Sequence, residues 1–298
     1  MIEVSNLTKR FGETIAVDDL TFNVESRQTL VLLGTSGCGK TTTLKMVNRL
    51  VEPTEGSINV NGENIFDQDP ISLRRKIGYV IQNSGLFPHY TVAENISVVP
   101  DLLGWDKNKT RERTEMLMDL LDLDKEQFLD RYPAELSGGQ QQRVSLARAL
   151  AADPPIILMD EPFGALDPIT RRQIREEFHR LESLIAKTII LVTHDISEAI
   201  ELGDMICLMK DGRKVELGSP EDLGFFPKER FTRDFFSTNR FHHELQVVSV
   251  RRILKFVENI DRETGSEITF HVDDDLLKIL DSKLQEYESE TAIYIKDD

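Results

Sequence analysis

A glycine-rich turn between an apolar run and a helical pattern limits the possible folds of this chain more than any other feature. Residues 34–41 read GTSGCGKT and match the pattern G-x-x-x-x-G-K-[ST]. The apolar stretch LVLL precedes the turn, and Leu44, Val47 and Leu50 follow it at helical spacing. Glycines let backbone N–H groups curl around phosphate oxygens, and the positive end of the following helix favours the same charge. The turn therefore predicts a strand, a phosphate-binding loop and a helix over residues 41–50.

Individual side chains of the turn have distinct expected roles. Lys40 is expected to reach the β- and γ-phosphates of a nucleoside triphosphate, and Thr41 is expected to ligate Mg²⁺. The Cys38 thiol is expected to lie in the phosphate cradle, so that its alkylation inhibits the protein and ATP protects it. The residues predicted to bind the nucleotide here are Gly34, Thr35, Ser36, Gly37, Cys38, Gly39, Lys40, Thr41 and Thr42.

Further apolar runs alternate with helical patterns along the chain. PIILMD and TIILVTH read as buried strands, and residues 139–152 and 116–123 read as helices with one apolar face. Ile174, Phe178, Leu181 and Ile185 predict another amphipathic helix. Residues 2–25 alternate apolar and polar side chains, which is typical of antiparallel strands. The whole pattern predicts a mostly parallel sheet covered by helices on both faces, with a separate antiparallel part.

Two carboxylates end the apolar run IILMDEP. Asp160 and Glu161 follow a predicted parallel strand, and the carboxyl ends of such strands face the ligand crevice of a doubly wound sheet. Asp160 is expected to hold Mg²⁺, and Glu161 is expected to act as general base toward the attacking water. An acidic pair in this place is more often a helix cap or loop start, but the phosphate loop favours the functional interpretation.

The stretch LSGGQQQR predicts a second helix start able to bind phosphate. Ser137 and two glycines precede the apolar helical pattern at residues 139–152. The simpler interpretation is a capped helix with a flexible entry. The alternative is that Ser137, Gly138, Gly139 and Gln140 serve a second nucleotide across a dimer interface.

Composition narrows the classes of partner. The chain has 298 residues, 40% of them hydrophobic, and a formal net charge of -16. This acidity argues against nucleic-acid binding, although a local basic patch remains compatible with it. The two cysteines share no metal-ligand spacing and suit a reducing cytosol. No apolar run approaches the roughly 20 residues that span a bilayer, and the N-terminus lacks the order of a signal peptide.

Taken together, the motifs resemble those of one family. GTSGCGKTT, Gln82, LSGGQQQR, IILMDEP, ALD and the histidine of VTH occur in the order found in the ATP-binding subunits of ABC transporters. The resemblance covers residues 1–240. It implies that Phe11 stacks on adenine, Asp167 belongs to the D-loop at the dimer interface, and His194 contacts the γ-phosphate. Gln82 is implied to link the site to the transmembrane partner. It is predicted to be catalytic together with Glu161 and His194, and to be a metal ligand together with Thr41 and Asp160.

The resemblance also implies the architecture and the assembly. The expected fold is α/β, a P-loop NTPase of the ABC ATPase type, with a mostly parallel core sheet, an antiparallel β subdomain and a helical signature subdomain. Two ATPase subunits are expected to sandwich two ATP molecules with Mg²⁺, each site joining the phosphate loop of one copy to the signature residues of the other. The chain is expected to lie as a peripheral protein at the cytoplasmic face of the cell (inner) membrane. Its expected partners are transmembrane permease subunits and, indirectly, a solute-binding protein.

The transported solute is indicated by weaker features. The stretches KMVNRLVEPTEG and GLFPHYTV are similar to those in importers of glycine betaine, choline, carnitine and other osmoprotectants. These residues do not touch the solute, so the substrate rests on resemblance alone. Two alternatives stay open: an importer of amino acids or another small solute, and an ABC ATPase without a transport role that acts on DNA or ribosomes.

The C-terminal segment, residues 241–298, differs from the rest of the chain. Acidic residues outnumber basic ones there by about two to one. Its pattern predicts strand, helix, strand, helix and strand, that is, a small α/β appendage. Members of the resembled importer group often carry a pair of CBS modules at this place, and this segment is too short for a pair. Part of one module, a shortened chain and a different regulatory element are the alternatives.

Overall fold

The computed structural model describes residues 1–82, 84–164, 166–167, 169–172, 174–175, 178 and 186–237. The chain divides into two compact units, Met1–Leu217 and Gly218–Asp298. The predicted boundary near residue 240, the appendage at 241–298, and the predicted helical positions Leu181 and Ile185 lie outside the described residues.

Ten strands are present in this part of the chain. They are β1 (Ile2–Phe11), β2 (Thr14–Val24), β3 (Thr29–Gly34), β4 (Glu55–Val60), β5 (Glu63–Asn64), β6 (Ile77–Val80), β7 (Ile156–Asp160), β8 (Thr188–Thr193), β9 (Met205–Lys210) and β10 (Arg213–Gly218).

The helices of the first unit lie between these strands. They are α1 (Lys40–Val47), α2 (Pro70–Arg75), α3 (Val92–Leu102), α4 (Lys107–Leu120), α5 (Lys125–Phe128), α6 (Gly138–Leu150) and α7 (Ile196–Leu202). The described residues between 169 and 178 are also helical. The second unit contributes α8 (Pro220–Phe225) and α9 (Arg230–Ser237).

The central sheet brings together the chain segments that carry the motifs. Its strand order is β10-β9-β3-β8-β7-β6. β3 pairs in parallel with β8 and β9, and β7 pairs in parallel with β6 and β8. Every residue of β3, β7 and β8 is buried, as expected for strands covered on both faces. Because parallel strands end at the same edge of a sheet, the segments after β3, β7 and β8 are neighbours.

The second sheet supports the phosphate loop from one side. β1 pairs antiparallel with β2 and β4, which confirms the predicted antiparallel part. Its buried side chains Phe22 and Ile58 belong to the same apolar cluster as Leu44 and Met46 of α1. The helix that follows the loop is therefore packed between two sheets, and burial of this kind stabilises by about 25 cal/mol per Å² of apolar surface.

Three predicted helices end earlier than expected, and the one predicted over residues 139–152 ends at Leu150. The helix after the glycine-rich turn ends at Val47, and Leu50 is 45% exposed instead of lying on the apolar face. The cause is Arg49, which has a φ of 49° and whose carbonyl accepts a hydrogen bond from the guanidinium of Arg74. The helix predicted over 116–123 ends at Leu120, although Leu123 beyond it is buried.

No helix in the described ranges combines the length and the apolarity that crossing a membrane requires.

A single buried asparagine fixes the segment between β6 and α3. Asn95 is fully buried in α3, where its Oδ1 accepts from the backbone N–H of Phe87 at 2.8 Å. Its Nδ2 donates to the carbonyls of Phe87, Tyr90 and Thr91 at 3.0–3.1 Å. The loop that follows Gln82 is thereby tied to the first turn of α3, whose start is also closed by a capping box between Thr91 and Glu94.

We expect Asn95→Ala to lower the free energy of unfolding by about 2–4 kcal/mol, because it leaves several buried backbone groups without partners. The measurement is urea-induced unfolding followed by circular dichroism. Asn108→Ala, on the exposed side of α4, is the control and should change stability by less than about 0.5 kcal/mol. Equal stability of the two variants would contradict the assigned role of Asn95.

Candidate active site

The glycine-rich loop between β3 and α1 depends on two glycines. Gly34 has a φ of 152°, and a Cβ there would lie 2.2 Å from the carbonyl oxygen of Met209. Gly39 has a φ of 100°, and a Cβ there would lie 2.4 Å from the carbonyl oxygen of Ala16. Neither position accepts a side chain without a shift of the backbone. The loop can therefore turn tightly between the two sheets, with its N–H groups available to an anion.

Lys40 is held inside this loop. Its side chain is buried, and Nζ donates to the carbonyls of Gly34 at 2.7 Å and Thr35 at 2.9 Å. Nζ also lies 3.7 Å from Sγ of Cys38. The ammonium group is thus placed at the loop by neutral acceptors, and no carboxylate pairs with it in the part of the chain that the structure describes. This arrangement leaves its charge available for a phosphate.

The Cys38 thiol, predicted to lie in the phosphate cradle, is buried beneath the loop. It is only 2% exposed and belongs to the apolar cluster beneath the loop. Burial raises the pKa of the thiol, and the nearby Lys40 only partly opposes this effect. The backbone of Cys38 belongs to the loop, whereas its side chain belongs to the apolar cluster of the core.

The first residue of α1 meets the end of β7. Thr41 Oγ1 donates to Asp160 Oδ1 at 2.8 Å. Burial raises the pKa of Asp160, and the hydrogen bond from Thr41 partly opposes the change. A hydroxyl and a carboxylate at this distance supply the oxygen ligands that Mg²⁺ prefers. The donor set therefore fits the predicted metal.

Glu161 has an unusual backbone conformation. Its φ is 44°, a left-handed value that is uncommon outside glycine, and its N–H donates to the carbonyl of Val192 at 2.9 Å. Such conformations cluster at functional sites. The bond to β8 holds the backbone of Glu161 at the sheet edge, where the segments after β7 and β8 meet.

The carboxylate of Glu161 lies between two side chains from other strands. Gln82 Nε2 donates to Glu161 Oε2 at 3.2 Å, and His194 Nδ1 lies 3.4 Å from Oε1. Gln82 follows β6 and His194 follows β8, so the two flank the residue that follows β7. The structure thus brings together the three residues predicted to be catalytic.

The second predicted helix start forms as expected. Ser137 caps α6: its Oγ accepts from the N–H of Gln140 at 3.3 Å, while Gln140 Oε1 accepts from the N–H of Ser137 at 2.8 Å. Gly139 lies close to the helical segment that begins at residue 169, and a Cβ on Gly139 would lie 2.8 Å from Thr170 Cγ2. Among the described residues, no hydrogen bond or ion pair joins residues 137–140 to the phosphate loop of the same chain.

The other residues predicted for the site are Phe11, Asp167 and further positions of the glycine-rich loop and of α1. Phe11 ends β1 with 51% of its surface exposed and with Lys9 Nζ 4.9 Å from its ring centroid. Asp167 caps the helical segment after it, since its Oδ1 accepts from the N–H of Ile169 at 3.2 Å. Hydrogen bonds from Thr170, whose N–H lies 3.1 Å from the same oxygen, and from Ile169 lower the pKa of Asp167. The loop positions Thr35, Ser36 and Gly37 are exposed, and Thr42 lies in the first turn of α1.

Three polar residues near Glu161 and His194 were not predicted from the sequence. They are Arg171, Thr193 and Glu198. The spacing of Asp195 and Glu198 in DISE is typical of a helix start, and Asp195 does cap α7. Glu198 instead turns inward to Thr193. No sequence pattern indicated the contacts of Arg171.

Comparison with known proteins identifies relatives of this arrangement. A family profile described as ABC transporter matches residues 17–164. The osmoprotectant import ATP-binding protein OsmV of Salmonella typhimurium is 52% identical over 254 residues, which are 84% of this chain and 66% of that protein. The glycine betaine uptake system ATP-binding protein YehX of Escherichia coli is 46% identical over 268 residues, or 90% of this chain and 86% of that protein.

A solved structure agrees with the fold. The dimeric, post-hydrolysis structure of the ATP-binding cassette MJ0796 with ADP and Pi superposes with a TM-score of 0.66. It is 35% identical and covers 74% of this chain and 98% of that one. The chain spans only 60% to 66% of the length of the first curated relatives. With its sheet order, its glycine-rich loop and these relatives, the chain belongs to the ATP-binding proteins of the ABC transporter family.

Proposed function

We propose that the chain is the ATP-hydrolysing subunit of an ABC importer that takes up a quaternary amine or related osmoprotectant, such as glycine betaine, choline, carnitine or proline betaine. The observation that carries the ATPase part is the position of the Glu161 carboxylate, held between Gln82 and His194. The buried pair Thr41–Asp160 and the ammonium group of Lys40 lie at the same edge of the sheet.

ATP binding uses the backbone of the glycine-rich loop. Its N–H groups and the N-terminus of α1 receive the phosphates, and Phe11 offers an exposed ring on which the adenine stacks. Lys40 exchanges the carbonyls of Gly34 and Thr35 for phosphate oxygens. A charge-assisted bond to phosphate is stronger than a bond to a neutral carbonyl, which favours this exchange.

Thr41 and Asp160 would hold Mg²⁺, with Gln82, which contacts Glu161, as a further ligand. The ion would neutralise charge that develops on the phosphates. The hydrogen bond that joins the two ligands in the present structure keeps their oxygens together. The positive charges of Lys45 and Lys40 lower the pKa of Asp160 and partly oppose the effect of its burial.

Glu161 orients the attacking water and accepts its proton. Gln82 donates to one carboxylate oxygen and His194 lies against the other, so the orientation of the base is set from both sides. His194 is 58% exposed and is therefore free to contact the γ-phosphate. The left-handed backbone of Glu161 points the carboxylate toward the sheet edge at a cost of about 1–3 kcal/mol.

The site is completed by a second copy of the chain. Ser137, Gly138, Gly139 and Gln140 form a capped helix start without a bond to the phosphate loop of their own chain, within the described residues. In a homodimer this helix start faces the γ-phosphate bound by the other copy, with Asp167 at the interface. The dimeric form of the MJ0796 cassette supports this arrangement.

Transport follows from the names of the relatives. OsmV is an osmoprotectant import protein and YehX belongs to a glycine betaine uptake system. The partners are permease subunits in the membrane and, indirectly, a solute-binding protein, with no nucleic acid. The subunit lies at the cytoplasmic face of the membrane as a peripheral protein. We assign the ATPase domain to residues 1–240 and a regulatory role to residues 241–298.

Uptake of radiolabelled glycine betaine and choline tests the transport assignment. Cells that carry this subunit with its permease should accumulate the label, and cells with the Glu161→Gln variant should not, because import requires ATP hydrolysis. Labelled amino acids provide the comparison. Accumulation of amino acids without glycine betaine or choline would show that the solute class is wrong while the ATPase assignment stands.

Glu161→Gln is expected to keep ATP binding and to lower ATP turnover by about 10²-fold or more, because the general base is lost while the phosphate loop is intact. Phosphate release measures turnover, and size-exclusion chromatography with ATP measures the dimer that should accumulate. The exposed Glu112→Gln on α4 is the control. Normal hydrolysis by the Glu161 variant would reject the assigned base.

Cys38 should react slowly with N-ethylmaleimide near neutral pH, because burial hides the thiol and raises its pKa. The raised pKa lowers the thiolate fraction, so the rate should increase as the pH rises. Mass spectrometry of the modified peptides gives the rate for each cysteine. Cys207 is the internal control: burial raises its pKa to about 12, so it should react more slowly still. Labelling of Cys38 as fast as an exposed thiol at neutral pH would contradict its burial.

A further inference from the structure

The guanidinium group of Arg171 lies between two loops of the active site. Nη2 donates to the carbonyl of Leu166 at 3.0 Å and to that of Gly164 at 3.3 Å. Nη1 lies 3.8 Å from Asp195 Oδ2. Gly164 and Leu166 belong to the loop that follows Glu161, whereas Asp195 follows His194 directly. One side chain thus contacts both loops.

The first loop packs against the side chain of Glu161, the proposed general base. Its turns are closed by bonds from the N–H of Gly164 to the carbonyl of Glu161 and from the N–H of Leu166 to that of Phe163, both at 3.2 Å. A Cβ on Gly164 would lie 3.4 Å from Glu161 Oε2, so the Gly164 backbone packs against the carboxylate. By holding the carbonyl of Gly164, Arg171 fixes the surface on which the Glu161 carboxylate rests.

The second loop is held by an acidic network. Asp195 Oδ1 accepts from the N–H groups of Ser197 at 2.8 Å and Glu198 at 3.2 Å, which leaves Oδ2 directed to Arg171. Thr193 Oγ1 donates to Glu198 Oε2 at 2.5 Å and accepts from the N–H of Asp195 at 3.0 Å. His194 is therefore placed between two residues whose positions are set by this network.

Charge explains why an arginine suits this position. Glu198 is 2% exposed, and its burial raises its pKa; Asp195 raises it further, whereas Arg175 and Arg171 lower it. Arg175 forms its ion pair with Glu201, with Nε and Oε2 3.4 Å apart. Arg171 is thus the cation that also reaches the carbonyls of the first loop. A planar guanidinium presents five N–H donors in a fixed fork, so its two ends can bind carbonyls on one side and a carboxylate on the other, whereas an ammonium group presents its three donors from a single point.

We propose that Arg171 is a positioning residue for ATP hydrolysis, which couples the loop carrying the Glu161 carboxylate to the loop carrying His194. The proposal rests on the proposed function of these two residues. Its consequence is that loss of the guanidinium misaligns the base and the histidine relative to each other. ATP binding at the glycine-rich loop is left intact, because Arg171 contacts none of its residues within the described part of the chain.

Arg171→Met removes the guanidinium and keeps an unbranched apolar stem. It should lower kcat about tenfold or more and change KM and the Kd for ATP by less than about threefold, because the lost contacts serve alignment. Arg171→Lys should recover only part of kcat. The control is Arg111→Met, which removes an arginine with 80% of its side chain exposed on α4, and it should hydrolyse ATP as the unchanged protein does.

A double-mutant cycle separates positioning from a general loss of stability. Asp195→Asn removes the charge opposite Arg171 and keeps an oxygen able to cap α7. If both residues act through one link, the combined variant should lose much less kcat than the product of the two single losses. Circular dichroism and the melting temperature establish that each variant is folded.

Three results would overturn the proposal: a kcat of Arg171→Met within about twofold of the unchanged protein, a loss confined to KM, or multiplicative losses in the double variant. The proposed function fails separately. Normal hydrolysis by Glu161→Gln would reject the base, whereas full loss in that variant with normal Arg171→Met activity would reject only the positioning role.

Discussion

The parallel pairing of β7 with β8 is the interaction on which the rest of the site depends. The register places Asp160 opposite Val192, and the N–H of the next residue, Glu161, donates to the carbonyl of the same valine. The ladder is therefore extended by one residue beyond β7, at the price of a left-handed φ at Glu161. His194 follows β8 only two residues after Val192. The positions of Asp160, the proposed metal ligand, of Glu161, the proposed base, and of His194 are in this way set by one strand pair.

The conformation of the glycine-rich loop depends on its packing against both sheets. Gly34 and Gly39 lie against the carbonyls of Met209 and Ala16, which belong to different sheets. Both sheets pack against the loop and force it into a tight turn. The ammonium group of the buried Lys40 donates its hydrogen bonds to carbonyls of the loop itself. The same packing turns the Cys38 side chain into the core. The backbone of such a loop is already in the conformation that binds phosphate. Lys40 then has only to exchange its two carbonyl acceptors for phosphate oxygens.

The stretch KMVNRL, which is similar to one in osmoprotectant importers, also has a role within the fold. Arg49, two residues beyond the end of α1, has a left-handed conformation, and its Nη1 donates to the carbonyls of Ile65 at 3.2 Å and Gln68 at 2.5 Å. Arg74 donates in return to the carbonyls of Asn48 and Arg49. The stretch therefore joins the end of the phosphate-loop helix to the segment before β6. Its contacts are internal, which agrees with the view that these residues do not touch the solute.

The sequence by itself determined the α/β fold, the phosphate loop and the order of the site residues, because apolar periodicity and glycine chemistry are local properties. It also predicted that Asp160, Glu161 and His194 follow buried strands. Only the tertiary structure decided the burial of Cys38, the early end of α1 at Arg49, and the contacts of Arg171 and Glu198. These depend on carbonyls and side chains that are distant in the chain, and on which face of a turn meets the core, and no local pattern records such contacts.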